Sequence, residues 1–530
     1  MVDSNGMAVT PAILAIDVGS TKIKAAAVTA DGQLIGLHHG RTPYLSATPP
    51  VFEIEMNALA TSTLLTMSRV VNALSAQRVD VQIQAIAVTA LGDGVWLLDA
   101  TGQAVEPALT WRDARSIDVL RRWRREGRLD KVAHYTGTRP TTAHQTTQLA
   151  WLTEVAPERL KHARHVCFAE DWIGFVLTGC IGVCVTSFEH TYGHPHTILA
   201  NHETASSDDY TRVAQIVLDI LNLGAVYPMI PEVHSPLEPR GRLKQSVAMQ
   251  IGLPEGLPVF VGPFDAVAGM FGLNAVDFSK AVSIIGTAAI HQCWTKKFCS
   301  NMPGYLVKHI QDKNIFLRFV ATSAGLINLE FWARILYPDL REDNDFWMSI
   351  EENLNLASDK LIYLPYLTFG EERSEKEEWS LGSCFLGLNS GHTRDNLMYA
   401  VYEGIALQTA RIYDLLLDHN CLQQIAEIRF GGGGARSNLL ASLIAQSTGV
   451  QVVRPHLDEI GLTGIAAVAW TALHPNSSLD YWIQNMLKYL RVKIFTPDVK
   501  NKERYKVLKQ RIDDIVNSLS KVKTNWASYL

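Results

Sequence analysis

The chain lacks the short motifs by which several large enzyme classes are identified. It contains no Gly-Lys pair, which excludes a Walker A phosphate loop, and none of its glycines follow the GxGxxG spacing of a dinucleotide site. The HExxH motif of zinc proteases and the GxSxG motif of α/β-hydrolases are missing as well. A nucleotide site or a catalytic site in this chain must therefore be built from other elements.

Paired cysteines, a secretory signal and a long apolar run are also missing. The seven cysteines include no CxxC pair, which favours thiols in a reducing compartment over a disulfide framework. Residues 1–11 have neither the basic start nor the apolar run of a signal peptide. The longest uncharged apolar stretch, residues 460–474, is too short to span a bilayer and is typical of a packed core helix. We therefore expect a cytoplasmic protein without a membrane partner.

The composition is that of a globular enzyme with more than one domain. The chain has 530 residues, of which 47% are hydrophobic and 19% charged, and this length exceeds what one ordinary core contains. The net charge of -5 gives no reason to expect nucleic acid as a partner. A small-molecule ligand is the partner that these properties favour.

The order of apolar segments predicts an α/β protein with two related halves. Residues 12–16, 23–28 and 33–37 predict three antiparallel strands, and a helical pattern and a further strand follow them. From about residue 260 the theme of strand, Gly-Thr turn and strand returns, over residues 281–290. We therefore predict an N-terminal domain of residues 1–270 and a C-terminal domain of residues 271–530.

The turn between the first two predicted strands is a candidate phosphate site. Its residues are Gly19, Ser20, Thr21, Lys22 and, on the following strand, Lys24. Glycine lets the backbone approach a ligand, the two hydroxyls suit phosphate oxygens, and the two lysines point to the same face of a strand. Asp17, at the end of the first strand, is a candidate ligand of a hydrated Mg²⁺. A plain hairpin is the alternative.

Two further glycine segments are candidate nucleotide contacts. Gly286 and Thr287 form the turn of the repeated unit, which offers a second phosphate contact. Glycines 431–434 lie between a predicted strand and a predicted helix, where they leave room for a flat ligand and where a helix N-terminus favours anions.

Carboxylates and tryptophans indicate an acceptor site. Asp265 follows a strand and precedes a helix, where open sheets often place a catalytic base, although a helix N-cap is the alternative. Asp93, Trp96 and Trp111 combine aromatic faces with carboxylates, as a polyhydroxylated ligand requires, and the alternative for both tryptophans is a place in the core.

Several polar segments are predicted to lie at the surface. The histidines 190, 194, 196 and 202 predict a solvated loop rather than a metal site, and their role stays open. Residues 301–318 and the acidic residues 371–378 are predicted to be surface insertions.

Taken in order, these motifs resemble the FGGY family of carbohydrate kinases. The segments that carry the resemblance are residues 17–22, 88–93, 111–115, 170–179, 262–265, 285–287, 432–449 and 459–467. Gly92 and Asp93 stand where glycerol kinases of the family carry Arg-Glu and xylulose kinases carry Met-His. The loops 91–97 and 111–115 are similar to those of erythritol kinases, and the xylulose kinases are the other branch that the motifs resemble.

The resemblance implies two actin-like (ribonuclease H-like) domains with an ATP cleft between them. It implies transfer of the γ-phosphoryl group of Mg-ATP to a hydroxyl of a short polyol or ketose, erythritol-like or a pentulose such as xylulose or ribulose, in carbohydrate catabolism. Asp265 would be the base and, with Asp17, a metal ligand, while Gln145 would bind substrate hydroxyls. The implied ATP contacts are Gly286, Thr287, Gly433, Gly434, Ala435 and Asn438.

Other assignments remain open at this stage. An ATPase of the actin or heat-shock type, or a non-catalytic sugar sensor, is the alternative to a kinase. We expect a homodimer, although the sequence itself leaves the oligomeric state, the particular sugar and the phosphorylated hydroxyl undetermined.

Overall fold

A computed structural model describes residues 9–76, 80–199, 206–274, 276–300, 302, 304–339, 346–354, 361–367, 382–422, 424–457 and 459–526. The strands are β1 (Thr10–Val18), β2 (Lys22–Thr29), β3 (Leu34–Arg41), β4 (Tyr44–Thr48), β5 (Val51–Ile54), β6 (Val81–Ala90), β7 (Trp96–Leu98), β8 (Ala108–Leu109), β9 (His165–Cys167), β10 (Val183–Cys184), β11 (Val233–His234), β12 (Gly241–Arg242), β13 (Pro258–Val261), β14 (Lys280–Ile285), β15 (Ala289–Thr295), β16 (Tyr305–Lys308), β17 (Phe316–Thr322), β18 (Ile362–Leu364), β19 (Cys384–Leu386), β20 (Glu427–Gly431), β21 (Gln451–Pro455) and β22 (Val492–Phe495).

The α-helices follow the same chain order. They are α1 (Met56–Ala76), α2 (Ile117–Arg125), α3 (Arg128–Thr136), α4 (Gln145–Val155), α5 (Pro157–His162), α6 (Ala169–Thr178), α7 (Val185–Tyr192), α8 (Ser207–Ile220), α9 (Gln245–Ile251), α10 (Asp265–Leu273), α11 (Leu326–Leu336), α12 (Phe346–Asn353), α13 (Arg394–Asp418), α14 (Asn438–Thr448), α15 (Ile460–Leu473), α16 (Leu479–Leu487) and α17 (Lys502–Trp526). Among the described residues, none of these helices has the length and apolar character needed to cross a bilayer.

The chain divides into two compact units. Unit 1 comprises Met1–Val276, Lys296–Leu317 and Glu459–Leu490, and unit 2 comprises the remaining three stretches, Asp277–Thr295, Arg318–Asp458 and Arg491–Leu530. The two units are therefore not continuous in sequence. The division after residue 270, which gives each domain one uninterrupted stretch, stays a prediction about the sequence domains.

The sheet of unit 1 is built on the opening hairpin. Its strand order is β12-β13-β6-β1-β2-β3, and β1 pairs antiparallel with β2, which pairs antiparallel with β3. The apolar residues of β1 are buried almost throughout because this strand is central and covered on both faces. The three predicted antiparallel strands are thereby confirmed.

Three parallel strands of this sheet end at the same edge. The strand β6 pairs in parallel with both β1 and β13, so their carboxyl ends are adjacent. Backbone bonds beyond the strand ends extend this order, since Leu91 N–H donates to Val18 O at 2.9 Å and Gly262 N–H donates to Val88 O at 2.8 Å. The loops after β1, β6 and β13 therefore lie side by side, where open sheets place their ligands.

Helices α10 and α15 pack against each other through glycines. A β-carbon at Gly272 would lie 1.9 Å from Ile460 O, and one at Gly464 would lie 1.8 Å from Ala268 O, so only glycine permits this separation. Most of α15 is buried. The expectation of a packed core helix over residues 460–474 is confirmed.

Unit 2 repeats the sheet pattern of unit 1. Its strands follow the order β17-β15-β14-β20-β21-β22, with β14 antiparallel to β15 and parallel to β20, and with an antiparallel edge strand β22. In both units a hairpin is thus followed by two parallel neighbours and an antiparallel edge. The predicted α/β class with two related halves is confirmed.

One of the predicted surface insertions is wrong. Residues 301–318 include β16 and the start of β17, and Tyr305, Leu306 and Phe316 are at most 5% exposed. Their aromatic and aliphatic side chains belong to the core, which explains the burial. The acidic segment 371–378 lies outside the described residues.

Candidate active site

The three adjacent loops of unit 1 bring together the acidic residues predicted for catalysis and substrate binding. Asp17 lies near the end of β1, Asp93 follows β6, and Asp265 follows β13 as the first residue of α10. Thr89 Oγ1 donates to Pro263 O at 2.7 Å and so joins the second and third loops. Unit 1 therefore contains one acidic edge formed by residues that are far apart in sequence.

Asp265 has the surroundings of a base. Its Oδ1 accepts the N–H of Ala266 at 2.7 Å, and the backbone of Gly92 donates a second hydrogen bond to the carboxylate. Burial, followed by repulsion from Asp17, raises the pKa of Asp265 from 3.8 to about 7. A carboxylate with this pKa can both accept and release a proton near neutral pH.

Lys24 is bound within unit 1 by two carboxylates. Its Nζ lies 2.7 Å from Glu459 Oε2 and 3.5 Å from Asp17 Oδ2, and Asp17 is its cross-strand neighbour in the hairpin. Burial alone would lower the pKa of Lys24, but the attraction of Asp17 and Glu459 outweighs it and raises the pKa. We interpret Lys24 as the counter-ion of Asp17, whereas Lys22 is exposed.

The carboxylate of Asp17 fits a hydrated magnesium ion. Among the described residues, its buried Oδ1 accepts no hydrogen bond, although an ionised oxygen in the protein interior needs a partner. A β-carbon at Gly461 would lie 2.7 Å from Oδ2, so the glycine makes room for this carboxylate. Mg²⁺ takes one or two carboxylate oxygens together with water, and Asp17 and Asp265 supply such oxygens.

The turn after β1 is in contact with a predicted substrate residue. Trp111 Nε1 donates to Ser20 Oγ at 2.8 Å, and Thr42 Oγ1 donates to Gly19 O at 2.7 Å. Thr21 is exposed. The structure therefore brings Trp111 to the candidate phosphate turn, and Ser20 links the two predicted sites.

Two other predicted substrate residues lie in the core. Trp96 is completely buried, in β7. Gln145 Nε2 donates to Gly94 O at 3.0 Å and to Cys167 O at 2.7 Å, and its Oε1 accepts the hydroxyl of Tyr192. Because these bonds use both N–H groups of Gln145, we interpret it as a residue that supports the loop after β6.

Asp93 is held by residues that were predicted to be solvated. It has φ 57, in the left-handed region, and its carboxylate lies 3.2 Å from His190 Nε2 and 2.8 Å from the hydroxyl of Tyr305. His190 and His194 are at most 1% exposed, so the prediction of a solvated histidine loop is wrong for them. Each has one partner in a distant segment, Asp93 for His190 and the carbonyl oxygen of Leu306 for His194, which the sequence does not reveal. His202 lies outside the described residues.

In unit 2 the predicted nucleotide segments converge on one turn. Gly432 has φ 82, and a β-carbon there would lie 2.7 Å from Ile285 O, directly before the turn of Gly286 and Thr287. Leu326 N–H donates to Gly286 O at 2.7 Å, so the N-terminus of α11 lies at the same turn. Helix N-termini and glycine-rich turns suit phosphate oxygens.

The remaining predicted nucleotide residues follow this turn in the glycine segment. Gly433 is exposed and Gly434 is buried against Ile285, while Ala435 is half-buried. Asn438 is the exposed first residue of α14, and its Oδ1 accepts Lys493 Nζ at 3.0 Å. The segment therefore offers an open backbone surface beside a helix start.

Sequence reasoning missed Glu459, Gly325, His190 and Tyr305 as site residues. Gly325 directly precedes α11. A β-carbon at this position would lie 2.3 Å from Thr287 O, so the backbone of Gly325 packs directly against the turn. Its signal is the run of small residues 322–325 between a strand and a helix. Glu459 and Tyr305 had no comparable local signal, because their partners are far away along the chain.

Comparison with known proteins gives the class. The models of the N-terminal and C-terminal domains of the FGGY family of carbohydrate kinases match residues 12–272 and 301–473. The chain belongs to this family and is a carbohydrate kinase, an enzyme that phosphorylates a sugar or polyol. The resemblance found in the sequence motifs is thereby confirmed, and carbohydrate kinases use ATP as the phosphate donor, generally with Mg²⁺.

Individual relatives are similar over nearly their whole length. The L-xylulose/3-keto-L-gulonate kinase of Escherichia coli (strain K12) is 25% identical over 521 residues, 96% of this chain and 97% of the relative. The erythritol kinase of Brucella abortus (strain 2308) is 24% identical over 520 residues, 94% of each chain. The crystal structure of xylulose kinase from Rhodospirillum rubrum has a TM-score of 0.80 at 21% identity and covers 96% of this chain and 99% of that chain, which shows the common fold.

Proposed function

We propose that the protein transfers the γ-phosphoryl group of Mg-ATP to a hydroxyl of a short neutral polyol or ketose. A tetritol such as erythritol and a pentulose such as xylulose or ribulose are the preferred acceptors. The observation that carries the proposal is the contact between Asp265 and the loop of Asp93, because the backbone of Gly92 donates to the Asp265 carboxylate. A base and a hydroxyl-binding carboxylate next to each other are what phosphoryl transfer to an alcohol requires.

In the proposed reaction Asp265 accepts the proton of the attacking hydroxyl. Asp17, with Asp265, would hold Mg²⁺, which neutralises charge on the phosphates when it is bound. Lys24 compensates the charge of Asp17, with the two groups 3.5 Å apart. In unit 2, Gly286, Thr287 and the N-terminus of α11 would bind phosphate oxygens, and Gly433, Gly434, Ala435 and Asn438 would contact the adenosine.

A neutral acceptor is preferred because Asp93 and Asp265 present carboxylate oxygens. An ionised carboxylate only accepts hydrogen bonds, so these two residues suit hydroxyl donors and offer no donor to a carboxylate of the acceptor. The similar relatives include kinases named for erythritol, xylulose and the acid 3-keto-L-gulonate, so their names alone do not decide between neutral and acidic acceptors.

Release of ADP from ATP in the presence of single acceptors tests the proposal. The panel comprises tetritols, pentitols, pentuloses and glycerol, with 3-keto-L-gulonate and gluconate as acidic comparisons. We expect acceptor-dependent turnover with a tetritol or a pentulose. Equal ADP release without any acceptor would instead support an ATPase, and acceptor binding without turnover would support a sugar sensor.

The variant Asp265→Asn separates catalysis from binding. Loss of the proton acceptor is expected to lower kcat by about 10²- to 10⁴-fold while the affinity for ATP, measured by calorimetry, stays within twofold. Near-normal turnover of this variant would remove Asp265 from the role of base. The expected homodimer is a separate prediction, which light scattering coupled to size-exclusion chromatography tests.

A further inference from the structure

The carboxylate of Asp93 is oriented by two donors from distant parts of unit 1. His190, on α7, lies 3.2 Å from Oδ1, and the hydroxyl of Tyr305, on β16, donates to Oδ2 at 2.8 Å. All three residues are at most 7% exposed. Each carboxylate oxygen therefore has one fixed partner and retains further capacity to accept a hydrogen bond.

Two oxygen atoms hold the ring of His190 in place. Its Nδ1 lies 3.0 Å from the carbonyl oxygen of Thr186 on the same helix, and its Nε2 faces the carboxylate of Asp93 at 3.2 Å. An ionised carboxylate only accepts hydrogen bonds, so Nε2 is the donor in this contact. His190 and Asp93 thus form a buried hydrogen-bonded pair, which is strong where its geometry is good.

Binding of a metal ion is the alternative role of the cluster formed by Asp93, His144 and His190. Asp93, His144 and His190 place one ligand atom each within 4.8 Å of one another, which is close enough for a cation. However, His144 Nδ1 accepts the N–H of Thr141 at 2.9 Å, so a neutral ring carries its proton on Nε2. A ligand nitrogen must have an available lone pair, so protons rather than a metal fit this cluster.

The cluster is adjacent to the proposed base. The His190 ring centroid lies 5.3 Å from that of Phe264, which directly precedes Asp265. A β-carbon at Gly92 would lie 2.7 Å from Phe264 Cδ2, so the loop of Asp93 packs on the loop of the base. A change in the orientation of Asp93 would therefore alter the position of the acceptor relative to Asp265.

We infer that His190 and Tyr305 are positioning residues that orient Asp93 to accept hydrogen bonds from acceptor hydroxyls. The inference rests on the proposed function and names its acceptor class, a molecule with hydroxyl donors at the end that faces Asp93. Neither residue needs to contact ATP. We therefore expect their substitution to change the KM for the acceptor and not the KM for ATP.

The variant Tyr305→Phe tests this role with little change in packing. It removes one hydroxyl and keeps the ring, which stacks on His144 with centroids 4.8 Å apart. We expect the acceptor KM to rise about tenfold, as for the loss of one hydrogen bond to a charged group, with kcat and the ATP KM within twofold.

Tyr210→Phe is the matched control. It also removes a tyrosine hydroxyl from a buried carboxylate, since Tyr210 donates to Glu189 Oε1 at 3.2 Å, but it leaves Asp93 unchanged. We expect the same acceptor KM as in the wild type. Equal effects of the two variants on acceptor KM would overturn the inference, because a general loss of packing would explain both.

A double variant shows whether Tyr305 acts through Asp93. In an Asp93→Asn background, Tyr305→Phe is expected to change the acceptor KM by less than about twofold, because the carboxylate that it orients is already lost. A full tenfold effect in that background would contradict the role.

Two measurements are independent of turnover and remain informative if no acceptor is phosphorylated. Nitrogen-15 spectra are expected to show a proton on Nε2 of His190, the nitrogen that faces Asp93, and a ring without that proton would overturn the inference. Addition of Zn²⁺ alone is expected to give no stoichiometric binding that depends on His144, and such binding would assign the cluster to a metal. Absence of turnover with every acceptor, together with a proton on Nε2 of His190, would count against the proposed function and leave the contact between His190 and Asp93 intact.

Discussion

At the scale of single residues, the acidic edge of unit 1 depends on a partner that the sequence does not indicate. Asp17 and Asp265 were predicted from their places at strand ends, where the backbone pattern is visible in the sequence. Lys24 was predicted to bind ATP because its spacing from Lys22 places both on one strand face. Glu459 binds Lys24 at 2.7 Å from a position more than four hundred residues away, and local patterns carry no information on such a contact.

Lys24→Met tests whether Lys24 acts on Asp17 or on ATP. The change leaves two largely buried carboxylates without their counter-ion, so we expect the free energy of unfolding to fall by about 2 kcal/mol. Lys22→Met is the control, because Lys22 is exposed. This substitution should change the free energy of unfolding by less than about 0.5 kcal/mol. Chemical denaturation measures both. A large rise in ATP KM for Lys24→Met without loss of stability would restore the predicted contact with ATP.

Asp265 gives a pH dependence of activity. Its pKa is raised to about 7 by burial and by Asp17, and only its ionised form accepts a proton. We therefore expect kcat/KM to fall as the pH drops below about 7, and Mg²⁺ at the site to move this limb to lower pH. A rate profile without an acidic limb at any pH at which the enzyme stays folded would contradict the assignment of the base.

The same pKa shift acts on stability with the opposite consequence. The folded state favours the protonated form of Asp265. The contribution of this residue to the free energy of unfolding is therefore fully present below the ordinary pKa of 3.8 and is lost as the pH rises to about 7. Without Mg²⁺, Asp265→Asn is thus expected to be more stable than the wild type at pH 8 and similar to it at pH 3.5. Thermal unfolding at the two pH values measures the difference.

At the scale of elements, the strands were easier to predict than the segments that cover them. Alternating and continuous apolar runs define β1, β2 and β14 locally, and the Gly-Thr turn marks the repeat. The buried residues His190 and His194 and the strand β16 were predicted to be exposed because they are polar or follow polar neighbours. Their burial depends on pairing such as that of Leu306 N–H with Thr138 Oγ1, 168 residues apart.

Gly464→Ala tests the packing of α15 on α10. In an open helix this change would stabilise by up to about 1 kcal/mol, but here the new carbon would meet Ala268 O at 1.8 Å. Because α10 begins with Asp265, we expect both a loss of stability of about 3 kcal/mol and a lower kcat. A stabilised variant would show that the two helices can separate without cost.

At the scale of the whole molecule, the two units carry different groups of candidate residues. The acidic residues and the Asp93 cluster belong to unit 1, and the glycine segment and the turn of Gly286 belong to unit 2. The repeated sheet pattern could be predicted from the repeated turn. The return of residues 296–317 and 459–490 to unit 1 could not, because it depends on contacts between segments rather than on composition.

Gly432→Ala tests this division of roles. Gly432 combines φ 82 with ψ -178, a conformation that essentially only glycine adopts, and its backbone lies against Ile285 O. The change should displace the glycine segment from the turn of Gly286 and raise the ATP Kd by about tenfold or more, the equivalent of at least about 1.4 kcal/mol, while the acceptor Kd stays within twofold.

Gly449→Ala is the matched control for backbone strain. Gly449 also has a positive φ, 69, and follows α14 in the same unit, but a β-carbon there would meet nothing within 4 Å. It should cost about 1 kcal/mol of stability and leave both ligand affinities unchanged. Calorimetric titration of ATP and of the acceptor into both variants separates the cases. Weaker acceptor binding in Gly432→Ala than in Gly449→Ala would mean that the glycine segment also supports the acceptor site, which the division of roles excludes.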